Sequence, residues 1–175
     1  MPVVINMNFP QRKPTRISNY DYSKNGYYFV TICTHNRKCI LSEIYVGEGF
    51  PLPNLTPSGK VAEKMILSVN EKYPCVKTDK FVIMPNHIHI IFLIDNDAEI
   101  NGREDPSPTI SNVVGWLKYN ITKQINQING IVYNKIFQRS FHDHIIRSEK
   151  DYLKIWEYID NNPTRWKTDC FYIEN

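Results

Sequence analysis

The stretch Phe81–Ile94, FVIMPNHIHIIFLI, holds two apolar runs separated by Pro85-Asn86, with His87-Ile88-His89 just beyond the break. The first run reads as a buried strand, the Pro-Asn as a turn, and the second run as another strand with alternating faces. Side chains alternate across a strand, so His87 and His89 share one face and Ile88 takes the other. Two imidazoles two residues apart on one face are placed to share a divalent cation. The plain alternative is a pair of hydrogen-bonded, partly buried histidines. Spacing alone does not decide between them, because His142-Asp143-His144 repeats the pattern.

Working outward, Tyr27–Thr34 is rich in β-branched and aromatic residues and reads as a first strand. His35–Lys38 reads as a turn and Cys39–Val46 as a partner strand. Thr56 or Ser58 caps a helix running to about Tyr73, with Val61, Met65 and Val69 at i+4 spacing. Pro74 stops it, and Val76–Met84 and Ile88–Ile94 follow as strands. The acidic, proline-bearing segment 95–108 is a flexible loop. Ser107 or Thr109 then opens a second helix, whose apolar face is Ile110, Val113, Val114, Leu117, Ile121, Ile125 and Ile128. Gly130 ends it. Residues 136–147 read as an extended segment or short strand. Ser148, with Asp151 three residues on, caps a third helix that Pro163 ends. The remaining residues form a short tail.

This order suits an α+β fold, a ferredoxin-like antiparallel sheet with two helices on one face. The third helix is left to cover the other face, toward which the two histidines can point.

The 175 residues are read as one domain, with residues 1–26 a basic N-terminal arm. Hydrophobic residues make up 42% and aromatics 13%, which supports a packed core and argues against disorder. A net charge of +3 permits nucleic-acid binding without demanding it. Cys33, Cys39, Cys75 and Cys170 form no Cys-x-x-Cys pair, which argues against a structural zinc site. With no apolar leader and no membrane-length run, the expectation is a cytoplasmic protein with reduced thiols.

At 100° per residue, Tyr152, Ile155, Trp156 and Ile159 form the apolar stripe of the third helix. Tyr158 lies about 110° from its mean direction, and Asn162 falls on the same flank one turn on. A phenol and an amide are thus presented side by side. Flank tyrosines ordinarily pack the ring and leave the hydroxyl wet, and Asn-Asn-Pro is ordinary helix-ending chemistry.

Taken together, MPNHIHIIFLI, FQRSFHDHIIRSEKDY and EYIDNNPTRW resemble the single-tyrosine HUH transposases, in particular the REP-associated tyrosine transposases and the small insertion-sequence transposases. The stretch NYDYSKNGYYFVTICTHNRKCIL resembles their N-terminal region, so the likeness runs from about residue 11 to 167. It implies a ferredoxin-like fold and a site that cleaves single-stranded DNA, often beside a hairpin, using Mg²⁺ or Mn²⁺. His87 and His89 match the HUH histidines, Tyr158 the nucleophile in the Tyr-Ile-x-x-Asn-Pro pattern, and Asn162 a third polar metal ligand. His144 also matches and takes a supporting or DNA-contacting role. Where relatives carry an aromatic pair before the acidic residue, this chain has Phe141-His142, so His142 is incidental.

The expected chemistry is attack by Tyr158 on a phosphodiester to leave a 5′-phosphotyrosine and a free 3′-hydroxyl. DNA contacts are expected from Arg12, Lys13, Arg16, Lys118, Lys123, Arg139, Arg147 and Arg165, chiefly to phosphates. The protein is expected to act as a monomer or homodimer. One competing class is a non-catalytic single-stranded nucleic-acid-binding module stacking bases on Tyr27, Tyr28 and Phe29. Another is a hydrolase that uses the paired histidines and an activated water; it would release free ends and retain no DNA on the protein.

Overall fold

A computed structural model describes residues 20–45, 52–97 and 108–173. Four strands, β1 (Gly26–Cys33), β4 (Val76–Ile83), β5 (His87–Ile94) and β6 (His142–Ile146), form one sheet in the order β4-β5-β1-β6. Every neighbouring pair is antiparallel. Two further helices, α1 (Pro57–Leu67) and α3 (Ile110–Ile128), supply the long connections, so the main path is βαββαβ, the ferredoxin-like arrangement.

Strand β5 is central, with β4 on one side and β1 on the other. That explains its near-continuous apolar sequence, because a strand covered on both faces has no solvent side to mark with polar residues. Its even positions, Ile88, Ile90, Phe92 and Ile94, join Tyr28, Val30 and Ile32 of β1 beneath α1 and α3. Its odd positions, His87, His89 and Ile91, face the opposite way. There a smaller cluster of Ile91, Ile146, Ile155 and Ile159 lies under α4 (Glu149–Asn161), with Tyr27, Phe29, Tyr152 and Trp156 packed against it.

Three side-chain contacts fasten α4 to the β4 edge. A register irregularity between Thr78 and Lys80 frees Asp79, whose carboxylate accepts from the Tyr152 hydroxyl at 2.7 Å. The Lys80 ammonium lies 3.8 Å from the centroid of Trp156 and 2.6 Å from Asp160 Oδ1. Ser148 caps α4 by accepting from Asp151 N at 3.2 Å.

Several expectations are corrected. The partner strand over Cys39–Val46 does not form beside β1, whose two edges are already taken by β5 and β6. The chain there forms only β2 (Ser42–Glu43), paired with β3 (Asn54–Leu55) in a separate ribbon. The helix expected to run unbroken to Tyr73 divides at Ser68 into α1 and α2 (Val69–Lys72), because the Ser68 side chain bonds back to Met65 O. Ile128, counted on the apolar face of α3, is 63% exposed, since the buried stripe stops at Asn126. Residues 20–24, assigned to the arm, are joined to the fold: Tyr20 and Tyr22 pack on the main core and Tyr28 Oη donates to Lys24 O. The tail after Pro163 turns back through a 3-10 turn at Trp166–Thr168 and lays Phe171 over His87, ring centroids 4.6 Å apart.

No helix among the described residues is long and apolar enough to cross a membrane.

Candidate active site and metal centre

The alternation of β5 delivers His87 and His89 to the α4 face with ring centroids 4.5 Å apart. Both are essentially fully buried. Burial holds the His87 imidazole down to about 4, although the Asp169 charge and the Asn162 side chain act against it. His89 is held well below its ordinary range, first by burial and then by His87. Both rings are therefore neutral at pH 7.

The surroundings of His87 settle which of its nitrogens carries the proton. Asn86 Nδ2 donates to Phe171 O at 2.8 Å, which leaves Asn86 Oδ1 facing His87 Nδ1 at 2.9 Å. An amide oxygen only accepts, so Nδ1 carries the hydrogen and His87 Nε2 is a bare lone pair. His89 Nδ1 is 2.8 Å from the Thr31 hydroxyl of β1, and its Nε2 is 3.2 Å from the Tyr158 hydroxyl. Both hydroxyls can donate or accept, so either His89 tautomer satisfies the two contacts; the one in which the phenol donates to Nε2 carries its proton on Nδ1.

Tyr158, on the flank of α4, is 38% exposed. Burial, followed by the nearby Asp169 and Cys170 charges, pushes its phenol up to about 12. One turn further, Asn162 is buried, and its Nδ2 donates to Asp169 Oδ2 at 2.9 Å. Asn162 Oδ1 and His87 Nε2 are both buried with no protein hydrogen-bond partner. Both are acceptors, so they cannot satisfy one another.

Orphaned buried acceptors beside a carboxylate are what a cation site requires, since a buried acceptor without a partner is costly. Ligand atoms of His87, His89 and Asp169 lie within 4.8 Å of one another. Imidazole nitrogens and an amide oxygen, with the Asp169 carboxylate beside them, therefore fit a divalent cation. Asp169 was missed in the sequence because a single aspartate in a polar tail carries no spacing signal.

The other candidate residues separate by position. Arg165 lines a 290 Å³ pocket with Tyr158, Asn162, Thr168, Asp169 and Cys170. Lys123, Arg139 and Arg147 are exposed and lie outside that lining. Lys118 is half-buried, its ammonium donating to Gln138 O at 2.6 Å and Arg139 O at 2.9 Å. His144 Nε2 meets Asp151 Oδ2 at 2.8 Å near the start of α4. Arg12, Lys13 and Arg16 lie outside the described residues.

No family model matches the chain. An uncharacterised protein of Haemophilus influenzae is 32% identical, with 99% of this chain and 100% of that protein covered. The REP-associated tyrosine transposase of Escherichia coli K12 is 26% identical over 82% of this chain and 70% of its own length. A solved REP-associated tyrosine transposase, bound to a REP hairpin, superposes with a TM-score of 0.53 at 25% identity, covering 85% of this chain and 74% of that one. Fold and relatives together define a DNA transposase. Within that class, the relatives that carry a name, at 25–29% identity, are REP-associated tyrosine transposases, and it is these that the chain resembles.

Proposed function

We propose that this transposase is a metal-dependent single-stranded DNA endonuclease and strand transferase that cuts beside hairpins at element ends. The observation that carries the reading is the convergence of Tyr158 on the histidine pair, with its hydroxyl 3.2 Å from His89 Nε2. The hairpin carried by the solved relative supports hairpin DNA as the substrate class.

His87, His89 and Asn162 would hold the cation, with the Asp169 carboxylate beside them. When bound, Mg²⁺ or Mn²⁺ supplies charge neutralisation at the phosphate oxygens. Imidazole in the donor set favours Mn²⁺.

Tyr158 attacks phosphorus, forms the Tyr–O–P bond and expels the 3′-oxygen, so the phosphodiester energy is kept for rejoining. The phenol proton must leave as the bond forms, and the elevated pKa makes that loss a substantial part of the barrier. Arg165 lines the pocket shared with Tyr158 and would donate to the substrate phosphate. α4 lies on the sheet of its own chain, which supports a site completed within one subunit. The four cysteines are all free, which suits a cytoplasmic protein.

The test uses labelled single-stranded oligonucleotides with and without hairpins, Mn²⁺ or EDTA, and wild-type or Tyr158→Phe protein. An SDS-resistant protein–DNA adduct that needs both metal and Tyr158 is the expected result. Binding without any adduct would leave a non-catalytic binding module. Metal-dependent cleavage surviving Tyr158→Phe would make the nucleophile an activated water.

A further inference from the structure

The C-terminal return, unremarkable in sequence, makes two hydrogen bonds that decide which atoms face the centre of the site. The Phe171 carbonyl accepts from Asn86 Nδ2, and the Asp169 carboxylate accepts from Asn162 Nδ2. Neither a carbonyl nor a carboxylate can donate, so each forces the amide it meets to present NH₂ to the tail and oxygen elsewhere. For Asn86 the oxygen meets His87 Nδ1 and leaves Nε2 bare. For Asn162 the oxygen stays buried and unpartnered. Rotating either amide would put N–H groups where a cation needs lone pairs.

The return is itself anchored. Asp169 Oδ1 accepts from Phe171 N at 2.6 Å, which ties the two contact points together. Arg37 donates to Cys170 O at 3.1 Å and lies 5.3 Å over the Phe171 ring. The Trp166 and Phe171 rings pack on His87. Asn86 is 1% exposed and Asn162 2%, so neither amide has water to compensate a wrong orientation.

We propose that Asp169–Phe171 is a positioning segment of the metal centre, fixing Asn162 and Asn86 so that Asn162 Oδ1 and His87 Nε2 face the cation. Asn86 and Asp169 act through their neighbours, in the manner of outer groups that orient metal ligands. The inference rests on the metal-site reading above, but half of its test needs no metal.

In metal-free full-length protein, long-range ¹H–¹⁵N spectra of the imidazoles report the tautomer, with His87 assigned by its loss in His87→Gln. Wild type is expected to show the Nδ1–H form, and Asn86→Ala to shift His87 toward a mixture with Nε2–H. Mn²⁺ titration is then expected to show about 10- to 100-fold weaker binding for Asn86→Ala and Asp169→Ala. Asp169→Asn, which keeps an acceptor oxygen for Asn162, should recover part of that loss. Thermal unfolding verifies that each variant folds, and the wild-type tautomer needs no variant beyond the assignment. An Nε2–H tautomer in wild type would overturn the proposal. So would wild-type Mn²⁺ affinity in both Asn86→Ala and Asp169→Ala when His87→Ala has lost it. If His87→Ala binds Mn²⁺ as tightly as wild type, the metal-site reading itself fails and the inference goes with it.

Discussion

The hydroxyl of Tyr158 and Nε2 of His89 lie 3.2 Å apart, and that nitrogen is one a metal would take. The phenol and a cation therefore compete for one nitrogen. Removing the hydroxyl should favour the cation. A net hydrogen bond of about 0.5–1.5 kcal/mol corresponds to roughly two- to tenfold in affinity. Tyr158→Phe is expected to bind Mn²⁺ more tightly than wild type by about that factor, measured calorimetrically without DNA. Weaker binding in Tyr158→Phe would instead make the phenol oxygen a ligand.

The buried histidines also make the metal-free protein acid-sensitive. Unfolded histidine takes its proton near pH 6.5, whereas His87 in the fold resists until about 4 and His89 is likewise depressed. The unfolded state thus binds more protons as pH falls, so stability is full above about pH 6.5 and is lost on acidification. The slope approaches about 1.4 kcal/mol per pH unit for each histidine. Urea unfolding in EDTA at pH 7, 6 and 5 should show this decline, and His87→Gln should make it shallower. Equal slopes for the two proteins would contradict a depressed His87.

The alternation through FVIMPNHIHIIFLI made the shared face of His87 and His89 legible, and the element order placed α1 and α3 on one face and α4 on the other. Tyr158 and Asn162 were legible as flank neighbours because helical geometry needs only their spacing. What the sequence concealed is long-range. β1 lies between β5 and β6 rather than against Cys39–Val46, because edge occupancy is settled by the whole sheet. Asp169 reaches the histidines only because the chain reverses after Pro163, and no local pattern encodes where a tail lands. Asn86 was read as part of a turn, and its bond to Phe171, 85 residues away, carries no spacing signal.

Lys118 was grouped with the DNA-contacting cations, yet its ammonium closes two carbonyls, Gln138 O and Arg139 O, and burial lowers its pKa. That geometry predicts a stabilising role. Lys118→Met should cost about 1–3 kcal/mol in denaturant unfolding, in the range of a charged hydrogen bond lost and an acceptor left unpaired. Single-stranded DNA affinity should retain its dependence on salt. A lysine in contact with phosphate would instead reduce the log–log salt slope by about one when removed.

The phenol of Tyr158 gives the last expectation, a rate that climbs with pH. Its pKa is pushed up to about 12, so only a small fraction is ionised at neutral pH, and that fraction grows tenfold per pH unit. A bound cation lowers the value but leaves a rising limb wherever the pKa still exceeds the working pH. Single-turnover adduct formation at saturating Mn²⁺ should therefore rise between pH 7 and 8.5, with a logarithmic slope approaching one if the proton is lost before the bond forms. The histidines do not interfere in that window, since both are already neutral. A flat profile would mean that phenol ionisation does not limit the rate, and the step to examine next would be the docking of the hairpin.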